Sequence, residues 1–228
     1  MIMGRPFFLF LRLPLEKIDG IMVGWKKLIE RRLIKGRGEW VARRAVDQEL
    51  SKERILEAAR ELFVKHGYRN VSMRQIAAAI GYSHGSIYYH FKSKADLFYS
   101  LVNRDFTLLD QRLDEVLRTD DEPKQKLVNV FLGFIQFGLE HQSHYEIIFI
   151  IKDEELDKYL PENPNHSYEK FAQAIFSLSE KRANPTMVWS IFLSLHGFVS
   201  HYCKSGQSFE DVKTMAHAHV QNMCKIIY

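Results

Sequence analysis

Residues 72–94 read Ser72-Met73-Arg74-Gln75-Ile76-Ala77-Ala78-Ala79-Ile80-Gly81-Tyr82-Ser83-His84-Gly85-Ser86-Ile87-Tyr88-Tyr89-His90-Phe91-Lys92-Ser93-Lys94. Three helix starts fall within this one stretch. Ser72 and Gln75 form a capping box, in which a hydroxyl and an amide satisfy backbone N–H groups that no helical carbonyl reaches. The helix they open carries Ile76, Ala77 and Ile80, and Gly81 breaks it. Ser83 caps a second short helix holding Ile87, Tyr88 and Phe91. Ser93-Lys94-Ala95-Asp96 caps a third, longer one. Two short helices joined by a Gly-containing turn of about four residues make a helix-turn-helix.

Working outward, the helical period continues on both sides. Upstream, Ile55, Ala58, Ala59, Leu62 and Phe63 recur at helical spacing between a cap at Ser51 and a stop at Gly67. Downstream, Leu97, Phe98, Leu101, Val102, Leu108 and Leu109 mark the long helix Lys94–Leu117. Thr119-Asp120-Asp121-Glu122-Pro123 is a helix start with Pro at a first position. The helix behind it runs through Val128, Phe131, Leu132, Ile135 and Leu139. Further helices are predicted over Tyr145–Ile151 and near Tyr168–Ser179, Thr186–Lys204 and Ser208–Ile227. Asp153–Asn165, with Pro161 and Pro164, reads as a loop. No alternating strand appears, so the fold class is all-α, with a helix-turn-helix unit followed by a helical body.

The 228 residues carry 32 Lys and Arg against 28 Asp and Glu, a net charge of +4. That total hides an asymmetry: residues 1–105 balance at +9 and residues 106–228 at −5. A basic half on an acidic, aromatic-rich body suggests a polyanion-binding module attached to a different kind of domain. An apolar fraction of 46% argues against global disorder. Two cysteines, Cys203 and Cys224, exclude a disulfide framework and fit a reducing compartment. No run reaches the roughly 18–20 uncharged residues that cross a bilayer. The nearest, Phe7–Leu15, is interrupted by Arg12 and Pro14 and lacks a cleavage site. The chain therefore reads as soluble and cytoplasmic, with no membrane partner.

Residues 1–40 do not match the rest. They hold Lys26, Lys27, Arg31, Arg32, Lys35 and Arg37, and Ile21–Ile34 has the pattern of a short basic amphipathic helix. One reading is an arm against DNA or a membrane surface. The favoured reading is a non-native or disordered extension. Codons for Gly38-Glu39 can spell a purine-rich ribosome-binding site ahead of a GTG start at Val41. The intact mass of the native protein decides between the two.

Arg54-Ile55-Leu56, Ala58-Ala59, Leu62-Phe63, Gly67-Tyr68, Ser72-Met73, Ile76-Ala77, Gly81, Ser83, Gly85, Tyr88-Tyr89-His90-Phe91, Lys94 and Leu97-Phe98 together resemble the DNA-binding domain of TetR-type (tetracycline-repressor-like) regulators. The resemblance spans about fifty residues, in order and in spacing. Trp189, His196 and Gly197 resemble a Trp…His-Gly signature in one group of the C-terminal domains. It implies a DNA-binding domain over residues 41–98 and a helical effector-binding and dimerisation domain over 99–228.

The site chemistry agrees with the resemblance. A recognition helix must start with small and polar groups so that its backbone approaches the major groove. Ser83, His84, Gly85 and Ser86 supply these. His84 and Tyr89 are candidates for base contact, and Ser86 for a base or a phosphate. Tyr88, His90 and Lys94 read as phosphate clamps, which set register and not sequence. Ser72 and Arg74 open the preceding helix and should hold the backbone across the groove. Arg43, Arg44 and Lys52 lie upstream, within reach of phosphates or a minor groove. Each has a plainer role: Tyr88 and Phe91 as core, Ser72 and Ser83 as caps, Arg74 as a solvated charge. For Phe91 the core role is favoured.

Two rival signals are set aside. Gly81-Tyr82-Ser83-His84-Gly85 matches the G-x-S-x-G elbow of esterases, but that motif needs a strand before the serine, and a helix precedes it here. His141 and His144 share a helix face, without the Cys or carboxylate set of a metal site. No metal, cofactor or enzymatic activity is therefore expected.

The second half is rich in aromatic residues, most of them necessarily core. The resemblance implies a cavity for a small hydrophobic effector among the middle helices, with Phe134, Phe137, Phe149, Phe171, Trp189 and His196 near it. His196 reads equally as a satisfied core histidine. The resemblance also implies a homodimer through the last two helices, with Phe192, Leu195, Val199, Val212, Met215, His219 and Met223 as apolar stripes. The expected partner is a palindromic double-stranded DNA operator, which the effector makes the repressor release. The alternative is a TetR-like DNA-binding scaffold without a small-molecule effector.

Overall fold

The computed structural model describes residues 50–153, 156 and 163–228. The extension 1–40, Val41, Arg43 and Arg44 lie outside the described residues. Every regular element described is helical. The first four helices among the described residues are α1 (Lys52–His66), α2 (Met73–Ala79), α3 (His84–His90) and α4 (Lys94–Leu117). They are followed by α5 (Pro123–Glu140), α6 (Gln142–Tyr145) with a π-helical turn over Glu146–Ile150, α7 (Asn163–Leu178), α8 (Pro185–Tyr202) and α9 (Phe209–Ile227).

The caps read in the sequence fix the first four helix starts. The Ser51 hydroxyl accepts from the Arg54 N–H at 3.2 Å, and Ser93 from Asp96 at 3.0 Å. At α2 the box is complete, with the Ser72 N–H donating to Gln75 Oε1 at 2.8 Å and the Gln75 N–H to Ser72 Oγ at 3.3 Å. Ser83 accepts from Ser86 at 3.2 Å. Gly81, between α2 and α3, sits at φ 76°, a conformation that side chains disfavour, so the turn needs glycine there.

Helices α1 to α3 and the start of α4 close around Ile55, Phe63, Ile76, Ile87 and Leu97, all fully buried. Phe63, Tyr68 and Phe98 form a triangle with ring centroids 5.3–5.6 Å apart. Burying one such side chain contributes roughly 1.5–3 kcal/mol. Phe91 is core, as favoured, at the C-terminal end of α3.

Helix α4, with 24 residues, is about 36 Å long at 1.5 Å per residue. It leaves this small domain and packs on α5 and α7 of the second one. Helix α5 is the centre of that second bundle, against α4, α7, α8 and α9. Its apolar residues Leu127, Val130, Phe131, Phe134, Ile135, Phe137 and Leu139 are all buried.

Three expectations are corrected. The helix expected near Tyr168 starts at Asn163, because Pro164 falls in its first turn, where a missing N–H costs nothing. The helix expected over Tyr145–Ile151 is instead α6 running into the π turn, whose last N–H, from Ile151, reaches Glu146 O at 2.9 Å. Finally, Phe192, Leu195, Val199 and Val212 do not form outward stripes. They are buried within one protomer, because α8 packs the face of Phe192, Leu195 and Val199 on α5, and α9, which carries Val212, packs on α5 as well.

Polar contacts lock α1 and the loop behind it to the second domain. Arg60 and Asp105, both sealed from solvent, are paired at 2.5 and 2.7 Å, and His144 Nδ1 lies 3.0 Å from the same carboxylate. Arg69 pairs with buried Asp153 at 2.6 Å.

Candidate nucleic-acid interface and adjoining cavity

Helix α3 buries Ile87 and turns its other faces to solvent. Tyr89 is 88% exposed and Tyr88 45%. His84 and Gly85 are exposed beside them, and His84 stands edge-on to Tyr88 with centroids 4.7 Å apart. Two exposed tyrosines cost apolar hydration that nothing inside the protomer repays. A Cβ on Gly85 would meet only Ser83 Oγ, at 3.9 Å, and its backbone is not in the left-handed region. Nothing within the protein requires glycine there, so the bare backbone suits the close approach of something external.

The surroundings are electropositive. Between Glu61 and Asp96 the chain has Lys65, Arg69, Arg74, Lys92 and Lys94 and no carboxylate. Arg74 and Lys52 are exposed at the starts of α2 and α1. His90 is half-buried and edge-on to Tyr89. Ser72 is occupied by its capping box, and Ser83 and Ser86 share a 2.7 Å hydroxyl contact. Lys94 is also engaged inside the fold: Nζ donates to the Tyr68 carbonyl at 3.0 Å and sits 3.9 Å from the centre of the Tyr68 ring. Exposed Lys92, which sequence reasoning passed over, is the freer ammonium next to α3. Its sequence signal was its place between two cap residues.

Ser83 is a helix cap between two helices and not an elbow serine. His144 is turned to Asp105, and no group of three metal-ligating side chains occurs among the described residues. Cys203 and Cys224 are buried free thiols, and that burial pushes the pKa of each up.

The second bundle contains a cavity of about 50 Å³. Phe106, Phe134, Phe149, Phe171 and Phe192 form its walls, and Asp110, Arg112, Ser167 and Tyr168 its polar fringe. Of the predicted residues, Phe134, Phe149 and Phe171 line it. Phe137, Trp189 and His196 do not. Phe137 packs against His141, and Trp189 stacks on Phe192 with centroids 5.5 Å apart. His196 is the satisfied core histidine of the alternative reading, its Nδ1 2.5 Å from the buried Tyr145 hydroxyl. Burial, with a smaller contribution from Lys152, lowers its pKa to about 4. The missed lining comes from α4, whose Phe106, Leu109, Asp110, Leu113 and Val116 recur at helical spacing.

Residues 55–101 match the family described as bacterial regulatory proteins, tetR family. The matched stretch covers α1, α2, α3 and the start of α4, the helices that build the exposed α3 face. Residues 55–101 are a tetR-family helix-turn-helix domain. An HTH-type transcriptional regulator of Staphylococcus aureus strain MRSA252 is 31% identical over 103 residues, 45% of this chain and 55% of that protein. The chain thus spans about half the length of the curated relatives it matches. Among solved structures, NalD of Pseudomonas aeruginosa, the secondary repressor of the MexAB-OprM multidrug efflux pump, is 25% identical. The likeness covers 76% of this chain and 93% of NalD, at a TM-score of 0.60. FadR of Bacillus halodurans, a fatty acid degradation regulator, matches 80% of this chain and 96% of its own at a TM-score of 0.60 and 18% identity. The likeness to FadR carries the tetR-type fold alone. It extends the all-helical architecture beyond the matched domain, through α4 and the bundle around α5.

Proposed function

We propose that the chain is a dimeric, ligand-responsive transcriptional regulator, acting most simply as a repressor of a palindromic operator. The observation that carries the reading is α3: Tyr88, Tyr89 and His84 stand outward around a glycine that nothing inside the protein requires. In this reading His84 and Tyr89 contact bases. Tyr88, His90, Arg74, Lys52 and Lys92 hold phosphates, which set register and give the affinity its salt dependence. Lys94 acts through Tyr68 by fixing the start of α4 against the loop before α2. Arg43 and Arg44, just upstream in sequence, add contacts to phosphates or a minor groove.

A second copy docks on the outward face of α8 and α9. Leu193 and Met215 are exposed there, and Phe198, Tyr202, Ala218 and His219 form a groove between the two helices. A two-fold dimer presents two copies of α3 to successive major grooves, roughly 34–36 Å apart. The effector occupies the aromatic cavity. At about 50 Å³ that cavity is smaller than the roughly 150 Å³ that admits benzene in an apolar protein interior. Binding therefore opens α4 away from α7, and α4 carries the movement to the α3 pair. An effector that prefers the opened form shifts the population away from DNA. Going from mostly bound to mostly free takes about 5.5 kcal/mol of differential affinity.

The small cavity also favours one alternative, a DNA-binding scaffold that takes no effector. Footprinting the full chain on DNA upstream of its own gene, at stated salt, tests the reading. Protection of a two-fold symmetric site supports regulation. A compound that both raises thermal stability and releases the DNA separates the effector-responsive form from the scaffold.

A further inference from the structure

Helix α5 carries two glycines in its interior, Gly133 and Gly138, and the fold needs only one of them. At Gly138 a Cβ would fall inside the Val199 side chain, so packing on α8 requires a bare backbone there. At Gly133 a Cβ would meet no atom of the described residues within 4 Å, and the backbone is not in the left-handed region that favours glycine. Glycine inside a helix is destabilising relative to alanine, because it has more chain entropy to lose on folding. Gly133 therefore costs stability, and no contact within the described residues calls for it.

Its position says what the space is for. Gly133 borders the aromatic cavity together with Val130 and Phe134. The three stand at i, i+3 and i+4 on one stripe of α5, so a side chain at position 133 would point where that stripe points, along the cavity wall. Without one, the wall at this place is main chain, a recess one side chain deep beside Phe134. Phe134 is itself ringed by Phe149, Phe171 and Phe192, with centroids 5.9, 6.2 and 5.9 Å away. A flat ring in the recess becomes its fourth aromatic neighbour, in the offset or edge-on contact that such pairs favour. Val130, Gly133 and Phe134 all belong to α5, so this surface persists when α4 parts from α7.

The rest of the wall is almost wholly apolar, and its two charged residues, Asp110 and Arg112, are of opposite sign. It favours neither a cation nor an anion, and burying either against it leaves a desolvation cost unmet. We propose that Gly133 is the specificity-determining residue of the effector site, a subsite that takes the flat aromatic body of an uncharged compound against the α5 main chain. This rests on the effector-responsive reading above and deepens it, since it fixes the shape and charge of what enters.

The test is calorimetric titration of the full chain with four probes: 2-naphthalenemethanol, its thicker decahydro analogue, 2-naphthoate and (2-naphthylmethyl)trimethylammonium. The flat alcohol should bind about tenfold tighter than each of the other three. Gly133→Ala should weaken the flat alcohol by about tenfold, because the new methyl occupies the recess, and Gly133→Leu should weaken it further. Thermal melts without probe separate this from a structural role: Gly133→Ala should melt no lower than the unaltered chain. A lower melting point in that variant overturns the assignment, because the glycine then serves the fold. Flat-alcohol affinity that both substitutions leave unchanged overturns the subsite while leaving an effector site in place. Tighter binding of the anion, the cation or the decahydro compound overturns the ligand class and likewise leaves the effector reading standing. Binding of none of the four overturns the proposal and the effector reading together.

Discussion

Arg60 on α1 and Asp105 on α4 face each other as a planar fork on a carboxylate, Nη1 to Oδ2 at 2.5 Å and Nη2 to Oδ1 at 2.7 Å. Arg60 is 1% exposed and Asp105 0%. His144, from α6, closes the cluster at 3.0 Å. Three elements meet here: the first helix of the DNA-binding domain, the long connecting helix, and the short helix ahead of the cavity residue Phe149. A buried pair of this kind adds little net stability but is costly to break from one side. Its value is geometric, because α1 cannot slide on α4 without stranding a charge.

Arg60→Met or Asp105→Leu alone should therefore destabilise the protein by about 3–5 kcal/mol. The double variant should recover most of that loss, since neither charge is then stranded. Urea unfolding of the three variants checks it, and additive losses would contradict it.

His196 gives the stability a pH dependence. Its folded pKa is lowered to about 4, against about 6.5 in an unfolded chain. Between these values the unfolded state binds the proton and the folded state does not, so stability falls as pH drops from about 6.5 to about 4. Urea midpoints at pH 7.5 and 5.0 should differ more for the unaltered chain than for His196→Gln.

At Gly138 the backbone of α5 lies tight against Val199 of α8. A Cβ there would fall inside the Val199 side chain and lie 3.0 Å from the Tyr145 ring. Gly138→Ala should cost about 1–3 kcal/mol by overpacking. Gly133→Ala, in open space five residues earlier, should not. Thermal melts of the two variants are the comparison.

The α3 face makes separable predictions. Tyr89→Ala should relax sequence preference, by about 1–3 kcal/mol at the base pair it reads. Lys52→Ala and Lys92→Ala should each weaken binding to all sequences and lower the salt slope by about 1. Tyr88→Ala should weaken all sites together.

Met215, 60% exposed on α9, tests the dimer. Met215→Glu should yield a folded monomer by sedimentation, with operator affinity lost. A dimer that persists would place the interface elsewhere.

The caps explain how much of this was legible in the sequence. Ser51, Ser72, Ser83 and Ser93 act on backbone groups three residues away, so local spacing suffices to find them. The same holds for the exposed face of α3, whose buried partners Ile87 and Phe91 sit at fixed helical offsets. What spacing did not convey was pairing between distant residues. Arg60 and Asp105 are 45 positions apart, and nothing local marks either as buried. Phe192 and Val199 gave an apolar stripe whose partner, α5 or a second copy, periodicity cannot specify. The cavity suffered likewise: aromatic residues announce a core, but the few that border empty space depend on how four helices and the π turn splay. Asp110, the one carboxylate on that wall, looked like an ordinary solvated charge on a long helix.

The measurement that bears most directly on the whole account is selection of duplex DNA from a random pool by the full chain, repeated with Tyr89→Ala. Enrichment of one two-fold symmetric sequence with half-sites about one helical turn apart is expected. In the variant, symmetric positions within each half-site should lose their preference. Failure to enrich any sequence, or an enriched motif that is asymmetric and indifferent to Tyr89, would contradict it.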